Sequence, residues 1–145
     1  MIPINTDHFK RCIQTLASSL ALFQQAVPDS IEQEVFRNAI IKSYELIQEM
    51  AFKLLKKALR DYGYGNKKLD QTPVKELLRL SALHGLMSLD EVERWFGYRD
   101  SRNETAHDYG EHLVKDALTL LPRFLEDATQ LERVLRKHFA GATGA

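Results

Sequence analysis

The sequence predicts an all-α protein, an up-and-down antiparallel bundle of four to five helices. Two observations carry that prediction. Apolar residues recur three or four positions apart in several separate runs, the period that gathers side chains on one face of a helix. Those runs are joined by short connections that contain Pro, Gly or Ser, and short links between amphipathic helices favour antiparallel neighbours.

From Asp7 to Ala26, Phe9, Ile13, Leu16, Leu20 and Phe23 keep the helical period, and Pro28 follows the run. Ser30 and Gln33 have the spacing at which two side chains cap each other's backbone N–H groups, so a second helix starts there. It runs to about Arg60, because Val35, Ala39, Tyr44, Ile47, Ala51, Leu54 and Ala58 hold the period until Gly63 and Gly65. Thr72-Pro73 reads as a cap followed by proline at the first helical position, opening a short helix that Gly85 closes. Ser88 and Glu91 repeat the capping spacing before Leu89, Val92, Trp95 and Phe96, a helix expected to stop at Gly97. The last run extends from about Glu111 to Phe139. Residues 1–139 read as one domain, and 140–145 as a small, polar, flexible tail.

A chain of 145 residues is long enough to bury roughly 70% of the surface it exposes when unfolded. Its 20 Lys and Arg balance its 20 Asp and Glu, so no global positive field draws it to nucleic acid, and any anion must be bound locally. The single cysteine, Cys12, excludes an internal disulfide and a Cys-based zinc site. The N-terminus lacks a basic stretch followed by an apolar one, and no apolar run approaches the ~20 residues a bilayer needs. The expectation is a cytoplasmic protein with no membrane contact.

The chemistry concentrates in the segment 101–110. Ser101 and Glu104 have the capping spacing again, which predicts a new helix start at Arg102. The unpaired N–H groups and partial positive charge of a first helical turn, beside the forked donor of Arg102, would make a phosphate site. At ~100° per residue Asn103 and His107 share one face, while Arg102, Thr105 and Tyr109 share an adjacent one. Arg102 and His107 then stand roughly 140° apart around a straight helix. A long Arg side chain, a kink near Gly110, or a second copy across a dimer axis would bring both onto one substrate. Imidazole titrates near neutral pH and guanidinium stays charged, a pairing suited to phosphodiester cleavage. Spacing alone fits a structural or solvated role for these residues as well.

Arg102-Asn103-x-x-x-His107-x-Tyr109 resembles the Arg-polar-x3-His signature of the HEPN superfamily, in the version that ends His-x-Tyr. The stretch from Arg37 through Tyr44, Glu45 and Glu49 is similar to the long second helix of the nucleotidyltransferase substrate-binding proteins. Thr72-Pro73, Gly85-Leu86 and Trp95 follow in that family's order. The resemblance implies a helical bundle that dimerises, partnered by a minimal nucleotidyltransferase. In many such pairs the HEPN protein is a toxin, a metal-independent endoribonuclease acting on RNA. The nucleotidyltransferase neutralises it, in some cases by transferring AMP to the tyrosine of His-x-Tyr. Carried onto this chain, His107 is the acid or base at the ribose 2′-hydroxyl, Arg102 stabilises the charge on phosphorus, and Asn103 orients the phosphate or the imidazole. Tyr109 is the modification acceptor, and neither a metal nor another cofactor is implied. Ser101, where the family often has an acidic residue, and Gly110 after Tyr109 depart from the pattern. The alternative reading is a non-catalytic substrate-binding subunit, and a third is a purely structural dimer.

Other features have two readings each. Glu45 and Gln48 lie on a second face of the long helix, where a polar group is expensive to bury alone. Glu45 is a candidate to hold Arg102 or a partner's side chain, or it lines a wet bundle edge. Lys53, Lys56, Lys57, Arg60, Lys67 and Lys68 lead into Tyr62-Gly63-Tyr64-Gly65. That region either guides RNA phosphates, with tyrosines stacking on bases, or is a solvated helix end whose cations complement the dipole. His8, His84, His112 and His138 show no spacing that would pair two metal ligands on one helical face. Trp95 and Phe96 are most simply packing residues.

Overall fold

The computed structural model describes the backbone of residues 4–105 and 111–143, and the side chains of residues 4–101 and 118–141. Among the described residues there are six helices and no strand: α1 (Asp7–Gln25), α2 (Ile31–Arg60), α3 (Asn66–Gln71), α4 (Val74–Leu83), α5 (Leu89–Thr105) and α6 (Glu111–Thr143). None is long and apolar enough to cross a membrane.

The turns that separate these helices are set by local chemistry. At the start of α2 the Gln33 N–H donates to the Ser30 hydroxyl at 3.1 Å, and Gln33 Oε1 accepts from the Asp29 N–H at 2.9 Å. Ser88 and Glu91 cap each other reciprocally at 3.1 and 3.2 Å, as their spacing predicts. Gly85 ends α4 with φ +76°, a left-handed conformation in which a Cβ is strained. Around it the Gly85 N–H reaches the Ala82 carbonyl and the Leu86 N–H reaches that of Ser81, satisfying carbonyls that the helix end would otherwise orphan. Thr72 does not cap α4, since its hydroxyl donates back to the Lys68 carbonyl at 2.7 Å and Pro73 occupies the N-cap position.

Three boundaries differ from expectation. The stretch after Gly65 forms the short α3, anchored by Leu69 at 1% exposure. Helix α6 runs on to Thr143, past Phe139. The third difference bears on function: α5 does not stop at Gly97, and no new helix opens at Arg102. A glycine inside a helix costs about 1 kcal/mol. Here Gly97 lies on the exposed face, while Val92, Trp95 and Tyr98, each 3% exposed or less, carry the apolar period straight across it. Burial of those three outweighs the glycine.

Helix α1 packs along α2 over the most extensive of the helix contacts, α6 lies against both, and α4 and α5 complete the bundle against α2. Phe124 of α6 is the aromatic centre, with edge-on contacts to Tyr44 of α2 at 4.6 Å and to Tyr98 and Trp95 of α5 at 4.9 and 5.6 Å. Trp95 is fully buried core, whereas Phe96 is half-buried beneath the cations of Lys75 and Arg79. Through this cluster α5 is wedged between α2 and α6, and the position of its final turns follows from both.

Candidate active site

The residues singled out by sequence are placed unevenly. The backbone of Arg102, Asn103 and Thr105 forms the last described turn of α5, and their side chains lie outside the described residues. His107 and Tyr109 lie outside them altogether, as does Gly110. Because Ser101 and Arg102 continue α5, the backbone N–H groups there are not those of a first helical turn. The positive end of the α5 dipole therefore does not back Arg102, and the helix start inferred from the Ser101/Glu104 spacing is corrected accordingly.

Immediately before Arg102 the structure is dense with polar contacts. The Tyr44 hydroxyl donates to the Tyr98 carbonyl at 3.0 Å, and Gln48 Nε2 donates to the same oxygen at 3.1 Å. A carbonyl only accepts, which fixes the amide orientation of Gln48. Gln48 Oε1 is then buried with no hydrogen-bond partner among the described residues. The Ser101 side chain bonds the Tyr44 phenol, so α2 touches the residue adjoining Arg102. Burial is the main influence on that phenol and pushes its pKa up to about 12, while its bonds to Ser101 and Gln48 pull the other way. Glu45, one residue further on, is half-buried on α2.

On the other side of α5, Arg94 grips Asp127 of α6 with two bonds of 2.8 and 2.9 Å, and the Tyr98 hydroxyl donates to the same carboxylate at 2.5 Å. Burial, followed by the bond to Asp127, raises the Tyr98 phenol well above its usual range, so it remains a donor. Nothing local in the sequence announces this triad, whose members lie 29 and 33 positions from Asp127. The only available sign was an acid in the apolar period of the last helix.

The basic end of α2 is differently occupied. Tyr62 stacks on His84 at 4.3 Å and on His138 at 5.7 Å. The Tyr64 hydroxyl meets His84 Nε2 at 2.9 Å, and Asp61 meets His138 Nε2 at 2.8 Å. Lys68 lies over the Tyr64 ring, and Lys56 is 3.8 Å from Asp70. These tyrosines clasp three helix ends together, while Tyr62 keeps 41% of its surface exposed. Among the described residues no three His, Cys, Asp or Glu are grouped to hold a metal ion.

Residues 6–137 match the family described as "Nucleotidyltransferase substrate binding protein like". The chain belongs to this family. A Haemophilus influenzae protein named "Probable ribonuclease HepT" is 26% identical over 108 residues, which cover 74% of this chain and 73% of that protein. A solved Haemophilus influenzae structure, described as revealing the fold of a substrate binding domain of a nucleotidyltransferase, superposes with a TM-score of 0.78. It does so at 22% identity, over 91% of this chain and 99% of the other. A crystal structure from Thermus thermophilus matches with a TM-score of 0.63 at 28% identity, over 86% of this chain and 98% of its own. The HEPN resemblance read from the sequence and the family match assign the same family, and the helical fold agrees with that of the two solved structures.

Proposed function

We propose that this family member is the HEPN toxin of a pair with a minimal nucleotidyltransferase, a metal-independent endoribonuclease acting through Arg102 and His107. The observation that carries the reading is the Arg102-Asn103-x-x-x-His107-x-Tyr109 signature within a family match that spans residues 6–137. A relative named as a probable ribonuclease supports it further. In this mechanism the His107 imidazole takes the proton from a ribose 2′-hydroxyl, whose oxygen attacks the adjacent phosphorus. The bond from phosphorus to the 5′-oxygen breaks, that oxygen gains a proton, and a 2′,3′-cyclic phosphate remains. Arg102 balances the negative charge that develops on the phosphoryl oxygens, and Asn103 orients the phosphate or the imidazole. Thr105 and Glu45 are supporting residues, Glu45 as a carboxylate that holds Arg102 from α2. The protein works as a homodimer in the cytoplasm. AMP on Tyr109 would add bulk and negative charge beside Arg102, excluding RNA phosphate.

A second reading, a non-catalytic subunit that presents substrate to the nucleotidyltransferase, is favoured by the solved relative described as a substrate binding domain. One experiment separates the two. Purified wild type and His107→Ala are incubated with total and transfer RNA in EDTA, with intact mass spectrometry on each sample to detect AMP on Tyr109. Cleavage by unmodified wild type alone supports the ribonuclease. Inert wild type with no AMP present turns the assignment to the binding subunit.

A further inference from the structure

In a regular helix the carbonyl of Tyr98 accepts the N–H four residues on, that of Arg102. The backbone at this turn needs nothing from α2. Yet Tyr44 and Gln48, 1% and 0% exposed, both donate to that one oxygen. A carbonyl has two lone pairs, so two side-chain donors compete with the Arg102 amide. A side chain inserted into the ladder in this way shifts control of the turn from the helix to its neighbour.

Stability alone does not call for this arrangement. Gln48 places its amide nitrogen on an acceptor that a continuous α5 already supplies with a helical donor, and it leaves Oε1 buried and unpaired among the described residues. An apolar side chain of similar size would avoid that cost. A buried polar group that is only half satisfied, next to the residues expected to do chemistry, is where local stability gives way to geometry. Tyr44 and Gln48 stand four apart, on one face of α2. Ser101 joins Tyr44 directly, and Asp127 holds the far end of the Tyr98 side chain from α6. The turn that precedes Arg102 is thus fixed in rotation and in axial position from two sides.

We infer that Tyr44 and Gln48 are positioning residues for the Arg102 segment, holding α5 by the Tyr98 carbonyl so that the backbone turn that carries Arg102 is fixed in place. The inference rests on the assignment of Arg102 and His107 as the cleavage site.

The test compares full-length Gln48→Leu, Tyr44→Phe and the double variant with wild type. It measures kcat and KM for RNA cleavage in EDTA, thermal melting, and hydrogen exchange of the backbone amides of residues 99–105. Gln48→Leu is expected to melt at or above the wild-type temperature, having lost the orphaned oxygen. Its kcat should nevertheless fall roughly 10- to 100-fold, the scale of a misplaced catalytic group, with KM within about twofold. Exchange across residues 99–105 should rise while that of α1 stays unchanged. A merely structural residue would move melting and activity together, or neither. Wild-type kcat and unchanged exchange in Gln48→Leu overturn the inference, and this single variant decides the matter if the double variant does not fold. If wild type is as inert as His107→Ala, the ribonuclease reading falls. Exchange then judges the positioning by itself, faster at residues 99–105 in its favour and unchanged against it.

Discussion

Tyr98 and Asp127 meet through a 2.5 Å hydrogen bond, the phenol donating to a carboxylate that is 4% exposed and is also gripped by Arg94. One carboxylate thereby ties two turns of α5 to α6. Asp127→Ala would leave a buried hydroxyl and a guanidinium without their acceptor. The expected loss is about 2 to 3 kcal/mol, below the roughly 3 to 5 kcal/mol of a fully buried pair, because the Arg94 side chain is 29% exposed. Urea unfolding measures it. Asp127→Asn, which keeps one acceptor, should lose less, and an undiminished midpoint in Asp127→Ala would refute the tie.

The Tyr44 phenol predicts a loss of stability in base. Its folded pKa of about 12 stands above the ordinary phenol value of 10.0, chiefly through burial. Below pH 10 the folded and unfolded chains both keep the proton and the shift has no effect. Between pH 10 and about 12 the unfolded chain releases a proton that the folded chain retains, so stability falls as pH rises. At about 1.4 kcal/mol per unit the loss approaches roughly 3 kcal/mol. The Tyr98 phenol is raised by burial as well and loses stability over the same range, so Tyr44→Phe should lessen but not abolish the difference between the denaturation curves at its two ends. A variant as base-sensitive as wild type would place the titration elsewhere.

Gly97 and Gly85 should respond to alanine with opposite signs. An added Cβ at Gly97 meets nothing within 4 Å, and alanine in a helix interior is favoured by roughly 0.5 to 1 kcal/mol. Gly97→Ala is therefore stabilising if α5 is continuous. At Gly85 the space is equally open, but φ is +76°, a conformation that costs an L-residue about 1 to 2 kcal/mol. Calorimetric melting of the two variants gives both signs. Destabilisation by Gly97→Ala would point to a break in α5.

What the sequence made legible follows the range of the forces involved. The Ser30/Gln33 and Ser88/Glu91 caps and the Gly85 terminus are contacts between residues a few positions apart, and each is visible as spacing. Gly97 and the Ser101/Glu104 pair looked equally local, yet Trp95 and Tyr98 gain their burial from Phe124, which only the assembled bundle supplies. The signature around Arg102 was legible as a pattern. The hold on the turn before it was not, because Tyr44 and Gln48 reach Tyr98 across 54 and 50 residues, and no period or cap encodes such a pair.

The continuity of α5 also sharpens what Arg102 must do. A phosphate at a helix start shares its charge among several free N–H groups, but the backbone around Arg102 belongs to a helix already under way. If Arg102 faces the scissile phosphate, its guanidinium carries the charge without help from the start of its own helix. Arg102→Ala should then lower kcat by about 10²- to 10³-fold, the scale of losing one preorganised donor in a reacting site. Arg102→Lys keeps the charge but not the fork, so it should recover only part of that loss. Both variants are expected to melt close to wild type. Single-turnover cleavage of transfer RNA in EDTA measures all three proteins. Full activity in Arg102→Lys would mean that charge alone is sufficient, and full activity in Arg102→Ala would remove the residue from the reaction.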